Sequence, residues 1–199
     1  MTAPLAYGIQ LPVQSQSTIY AEPWEAAAGP EDLAEIARVA DRSGFDYIAS
    51  CDHVAIPRRL APAMSTVWYD PVATLAFLAG VTERVRLLSH VAIVGLRHPL
   101  LSAKQYATLD RLSGGRLVLG VGAGHVREEF EALGVDFEHR GAVLDETIDA
   151  LRAALGPEEF PEHHGKLYDF EGLGPRPRPA QRPVPAWVGG ASPAAGRRG

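Results

Sequence analysis

A single cysteine, Cys51, stands in the whole chain, so no intrachain disulfide can staple it. No apolar run reaches the roughly 20 residues that a membrane-spanning helix needs, which excludes that class of anchor. Met1 to Leu5 lack the charged start and apolar stretch of a secretory signal. Basic charge is not in excess: 19 Lys and Arg face 24 Asp and Glu, a net charge of -5. The arginines are scattered apart from a C-terminal cluster, so nothing points to nucleic acid. The expectation is a cytoplasmic protein, soluble and without a membrane partner, acting on a small molecule. What is present is ordinary globular composition, 46% hydrophobic and 22% charged over 199 residues, enough for one domain spanning 1-199 with a good core.

A βα rhythm runs along the chain. Tyr7 to Leu11 reads as a first strand, and Leu33, Ile36, Ala37 and Ala40 recur at helical spacing before a capping Gly44. Tyr47 to Ser50 reads as the second strand, ending at Cys51-Asp52-His53. Asp70-Pro71 is a helix start, with an N-cap carboxylate and a proline at the first helical position. Val85 to Val94 reads as strand three, interrupted by Ser89-His90. Pro99 opens a helix that ends before Ser113-Gly114-Gly115, and Leu117 to Val121 follows as strand four. Two helices come next, one near Arg127 to Leu133 and one carrying Leu144, Ile148, Leu151 and Leu155. Phe160 to Phe170 suggests a hairpin, and the proline-rich stretch from Gly174 to Pro185 leads to a fifth strand at Val184 to Val188. Short apolar strands suit a parallel sheet covered on both faces. Four or five βα units fit a doubly wound sheet and fall short of a full eightfold barrel of about 250 residues.

In such folds the carboxyl ends of the strands hold the site. Gly120-Val121-Gly122-Ala123-Gly124 departs from the G-x-G-x-x-G spacing of dinucleotide sites, and no strand with a ribose-binding carboxylate follows. These glycines either make a tight turn or let backbone approach a flat ring or phosphate; Gly189-Gly190 at another strand end favours the second. Asp52-His53 offers an imidazole able to move a proton near neutral pH, with a neighbouring carboxylate to orient it. Ser89-His90 reads either as a bulge at a solvated strand end or as one aiming backbone at a ligand. His139, His163 and His164 lack ligand spacing, so no metal is expected and the pair reads as part of a surface hairpin. Glu128, Glu129 and Glu131 read as a solvated helix face.

These motifs, in this order, resemble the luciferase-like monooxygenase superfamily, and within it the actinobacterial branch of coenzyme F-420 (deazaflavin) dependent oxidoreductases. The resemblance rests on Tyr7 to Pro12, Asp52-His53, Asp70-Pro71, His98-Pro99 and Ala107 to Arg116. It continues through Leu119 to Gly124, Glu128 to Gly134, Arg140-Gly141 and Pro185 to Gly190, nearly the whole chain. It implies an α/β fold of the (β/α)8 TIM-barrel type, usually dimeric, incomplete here at about five βα units with strands six to eight missing after Ala195. It implies a deazaflavin across the barrel mouth, backed by a strand-three bulge with a non-prolyl cis peptide at Ser89, His90 and Val91. Gly122, Gly124, Gly189 and Gly190 would lie near that cofactor, with His53 facing the reacting centre and Asp52 beside it. The implied reaction is hydride transfer between coenzyme F-420 and an organic substrate. The alternatives are an FMN-dependent monooxygenase of the same fold and a non-catalytic truncated remnant, or partner half, with an open sheet edge between strands one and five.

Overall fold

The computed structural model describes residues 5–190. Five short strands form one parallel sheet in sequential order: β1 (Gly8–Gln10), β2 (Tyr47–Ser50), β3 (Arg86–Ser89), β4 (Leu117–Val121) and β7 (Ala186–Val188). Between them lie α1 (Pro30–Arg42), the short α2 (Ala61–Met64), α3 (Pro71–Ala79), α4 (Pro99–Leu112), α5 (Arg127–Ala132) and α6 (Arg140–Leu155). The expected hairpin is present as an antiparallel pair, β5 (His163–His164) and β6 (Asp169–Phe170). Sequential parallel order with helices between strands is the arrangement of an incomplete (β/α)8 barrel. None of the described helices is long and apolar enough to cross a membrane.

Local chemistry sets the boundaries. The Asp70 carboxylate accepts from the Ala73 amide at 2.9 Å and Pro71 occupies the first turn of α3, a cap worth about 1 kcal/mol. Pro99 opens α4 in the same way. One face of the sheet, with Ile48, Leu87, Leu117 and Leu119, packs on Leu33, Leu75, Leu78, Leu109 and Leu144 from the helices. Each fully buried leucine there contributes about 1.5–3 kcal/mol.

The end of the sheet where strands begin is fastened by buried polar groups. Asp41, at the end of α1, accepts from the amides of Glu83, Arg84 and Val85 at the start of β3. Burial pushes its carboxyl up, but those hydrogen bonds outweigh burial and hold it below the ordinary carboxylate range. Asp110 of α4 accepts from the amides of Ala180 and Gln181, fixing the connector into β7. Arg116 donates to the carbonyls of Ala79, Thr82 and Val85. Rigid fastening at this end leaves the opposite end free to carry loops.

The other face of the sheet is concave, lined by Ala49, Leu88 and Val118 under Tyr47. Tyr47 on β2 and Trp187 on β7 meet edge to face, with ring centroids 5.6 Å apart, although β3 and β4 lie between their strands. In a flat sheet those backbones would stand about 14 Å apart. The sheet therefore curls as a barrel wall does. Its outer strands are β1 and β7, and Ala186 and Trp187 of β7 are exposed. Beside β7 an apolar groove of about 630 Å³ runs between the strand and α6, past Leu119, Ile148, Leu151, Val184 and Val188.

One element departs from expectation. Strand three was expected to run from Val85 to Val94, but β3 ends at Ser89. The His90–Val91 peptide is cis, as the resemblance implied, and the sheet resumes only as a single bridge between Ala92 and Val121. A 3-10 turn at Val94–Leu96 replaces the rest. Ser89 explains how a polar residue sits buried at this break: its Oγ donates to the Gly120 carbonyl at 2.9 Å and accepts from the Gly120 amide at 3.0 Å.

Candidate active site

The carboxyl ends of all five strands converge on one cleft of about 490 Å³. Gln10 follows from β1, Asp52 and His53 from β2, His90 and Val91 from β3, Gly122 to His125 from β4, and Gly189-Gly190 from β7. Of the residues expected at the site, Asp52, His53, His90, Val91, Gly122, Gly124, Gly189 and Gly190 all border it. Ser89 lies one residue beneath, fully buried in the sheet.

The floor carries no side chain at positions 122 and 189, for a steric reason. A Cβ on Gly122 would stand 2.5 Å from Val91 Cγ2, and one on Gly189 would stand 2.7 Å from Val91 Cγ1. The two glycines thus receive the branches of Val91 from either side. Gly124 has φ +77° and packs on Ile93 and Phe130, which turns the chain from β4 toward α5. The result is a strip of backbone and one apolar side chain at the carboxyl end of the sheet.

The histidine is held by a carboxylate that the sequence did not single out. His53 Nδ1 lies 2.9 Å from Glu129 Oε2. The other oxygen of Glu129 accepts from the amides of Val54 at 2.5 Å and Ala55 at 3.1 Å. Both side chains are shielded, at 7% exposure for His53 and 0% for Glu129. Burial pushes the Glu129 carboxyl up, but hydrogen bonds from His53, Ala55 and Val54 outweigh it and hold it below the usual range. Glu129 was expected on a solvated face with Glu128 and Glu131; instead it points inward between Val126 and Phe130, both 1% exposed. An ionised carboxylate accepts only, so Nδ1 carries a proton, and in the neutral ring Nε2 keeps its lone pair.

Asp52, expected to orient His53, does something else. Its carboxylate takes a bidentate pair from Arg97 at 2.6 and 2.8 Å and a hydrogen bond from the Ile93 amide at 2.9 Å. It ties the end of β2 to the segment after β3 and so fixes the wall on which Val91 stands. Three donors from Arg97 and Ile93 hold it, and the carboxylate that pairs with His53 is that of Glu129.

Aromatic rings flank His53. Trp68 meets it edge-on at 4.5 Å between centroids, and His125 does so at 5.4 Å. Cys51 borders the cleft as a half-buried thiol, pushed up by burial against a lowering hydrogen bond from Gln14. Outside the cleft, the hairpin register brings ligand atoms of the exposed Glu162, His164 and Glu171 within 4.8 Å of one another, a grouping that linear spacing did not suggest.

Comparison with known proteins gives the family and the fold. Residues 5–199 match the model of the luciferase-like monooxygenase family. An uncharacterised protein of Mycobacterium tuberculosis is 33% identical over 178 residues, 82% of this chain and 60% of that relative. The FMNH(2)-dependent dimethylsulfone monooxygenase of Pseudomonas putida is 32% identical over 165 residues, 81% of this chain and 44% of that enzyme. Among solved structures, the coenzyme F-420 dependent tetrahydromethanopterin reductase of Methanopyrus kandleri superposes with a TM-score of 0.72 at 24% identity, over 96% of this chain and 52% of that one. At that identity the likeness is one of fold. The chain spans about half the length of the relatives it matches.

Proposed function

The chain belongs to the luciferase-like monooxygenase family, and from that premise we propose that it is an oxidoreductase using coenzyme F-420 to act on a small organic substrate. The observation that carries this reading is the pairing, in one cleft, of a flat backbone floor with an imidazole whose Nε2 is left free by Glu129. The floor fits a planar tricycle: Val91 fills the space that side chains at positions 122 and 189 would need, so nothing protrudes from those positions. A cleft of about 490 Å³ is within the usual range for such ligands. Val91, Gly122, Gly124, Gly189 and Gly190 would hold the ring, with Ser89 and His90 supporting it from β3. When bound, a deazaflavin supplies a two-electron hydride acceptor or donor.

His53 moves the proton that accompanies the hydride. Its Nε2 takes a proton from a substrate hydroxyl as the carbonyl forms, or returns one in the opposite direction. Glu129 holds the ring in the required tautomer and balances the imidazolium that forms. Asp52 acts at a distance from the proton, by locking Arg97 and Ile93 so that Val91 stays in place. Trp68 shields His53 from bulk water. We place this activity in the cytoplasm, in a homodimer.

A second reading is favoured by one observation. The relative from Pseudomonas putida is named as FMNH(2)-dependent at 32% identity, which supports FMN in the same cleft and oxygen as co-substrate. A fluorescence titration of the purified chain with coenzyme F-420 and FMN in parallel separates the readings. Saturable binding of the deazaflavin in preference to FMN is the expected result, and preference for FMN moves the assignment to a monooxygenase. A chain that is folded by circular dichroism and binds neither overturns both and leaves a non-catalytic partner half.

A further inference from the structure

We propose that His125 is a proton relay for this cleft, carrying the proton of His53 to and from solvent. The inference rests on the reading of His53 as the proton-moving group and adds the route by which that group is reset. A buried acid–base residue must return to its starting protonation state before each turnover. His53 has little contact with water, at 7% side-chain exposure, and its Nδ1 is committed to a carboxylate with 0% exposure. Trp68 covers it on one side at 4.5 Å between centroids. On another side stands the ring of His125, 5.4 Å away at 84°, on a residue that is itself exposed. In the relay, one water between the two rings carries the proton from nitrogen to nitrogen.

The surroundings leave His125 suited to the task. Burial, and then the charge that His53 carries in its imidazolium form, push the imidazole of His125 below its ordinary value, with Glu129 acting in the opposite sense. The shift favours its neutral form, so a proton that reaches it is readily released to water. Asp52 is occupied by Arg97 and Ile93, and Glu129 by His53, Val54 and Ala55. The Cys51 thiol is pushed up by burial and stays protonated. Tyr20 and His90 also border the cleft, but Trp68 and His125 are the rings that touch His53. The step balances simply. A proton on His53 Nε2 passes to a nitrogen of His125 while His53 returns to neutral, and His125 then gives it to water. No electron moves, and only N–H and O–H bonds change.

The position of His125, one residue beyond Gly124, follows from the left-handed turn there, which lifts residue 125 out of the line of β4 and onto the cleft. The test is solvent exchange of the His53 Nε2–H proton, followed by NMR in the whole chain at a pH where that proton is present. If His125 is only a cover, His125→Ala opens the site and exchange speeds up or stays the same. If it is a relay, exchange in His125→Ala slows about tenfold or more, and imidazole added to the buffer restores it. A signal exchanged away in the unaltered chain but visible in the variant is the same supporting result; a signal absent from both contradicts the relay. His125 sits at an exposed position, and an unchanged melting temperature confirms that the variant folds. Because exchange needs no cofactor, a chain that passes this test yet binds no F-420 overturns the enzymatic reading alone. A chain that binds F-420 and fails it overturns the relay alone.

Discussion

Replacing Glu129 by glutamine changes one atom's charge and one atom's identity, and the structure says which consequence each has. Two backbone donors, Val54 and Ala55, converge on Oε1 at 2.5 and 3.1 Å, so the amide must place its oxygen there. Its NH2 then faces His53 Nδ1, where the carboxylate oxygen stood at 2.9 Å. Two donors cannot share that contact, so His53 moves its proton to Nε2 and Nδ1 becomes the acceptor. Hydrogen bonds to a charged group are worth about 1.5–3 kcal/mol and neutral ones about 0.5–1.5, and Val54 and Ala55 are exposed enough to recover part of the difference from water. The net loss is about 1–2 kcal/mol, or roughly 2–8 °C in melting temperature for a chain of this size. The chemical loss is larger: without a free Nε2 lone pair, kcat for any substrate turned over with F-420 falls about 10²- to 10⁴-fold, with little change in F-420 affinity. Nitrogen-15 NMR of the imidazole reads the tautomer directly, and calorimetry reads the stability. A variant in which the proton stays on Nδ1, or turns over at the unaltered rate, refutes the assignment of Glu129 as the orienting group.

Asp52→Asn leaves the Arg97 guanidinium, 19% exposed, without its bidentate partner, and should cost about 2–4 kcal/mol, discounted for that exposure; an unchanged melting curve would count against the anchoring role. Gly122→Ala drives a Cβ to 2.5 Å from Val91 and should cost about 1–3 kcal/mol and weaken ring binding, while adding Val91→Ala should recover most of the loss; additive effects in that double-mutant cycle would rule out the contact. Asp41 and Glu129 both have folded-state values below their unfolded ones, so the stability they bring is complete above about pH 4–5 and is lost as the pH falls through the folded values. Asp41→Asn should therefore be less stable than the parent at pH 7, with the gap narrowing as the solution is acidified; a gap that widens in acid contradicts that sign.

Elements with local signals were legible in the sequence. Tyr47–Ser50, Pro71–Ala79 and Leu117–Val121 stand where apolar runs, an Asp-Pro start and flanking glycines put them. Strand three was overrun because Val91 to Val94 are as apolar as the strand before them; Ser89-His90 marked the interruption, but the packing of Val91 against Gly122 and Gly189 joins residues far apart in the chain and left no local pattern. The cleft could be placed, since strand ends in a parallel fold share an edge, but the partners within it could not. Asp52 adjoins His53 in sequence and points to Arg97, while Glu129 is 76 residues away and pairs with it. One trace was available: Glu129 follows Val126 by three residues and adjoins Phe130, so it shares the inward face of α5 that Glu128 and Glu131 do not. His125 left no trace beyond its place after the glycine loop.

The central claim is that a planar deazaflavin lies on the floor made by Val91, Gly122 and Gly189, in front of His53. Amide and side-chain shift mapping by NMR, with coenzyme F-420 titrated into the labelled chain, tests it most directly. The account predicts that the largest shifts fall on His53, Val91, Gly122 to His125, Gly189 and Gly190. Shifts concentrated instead along Ile148, Leu151 and Val188, in the larger apolar groove between α6 and β7, would contradict it.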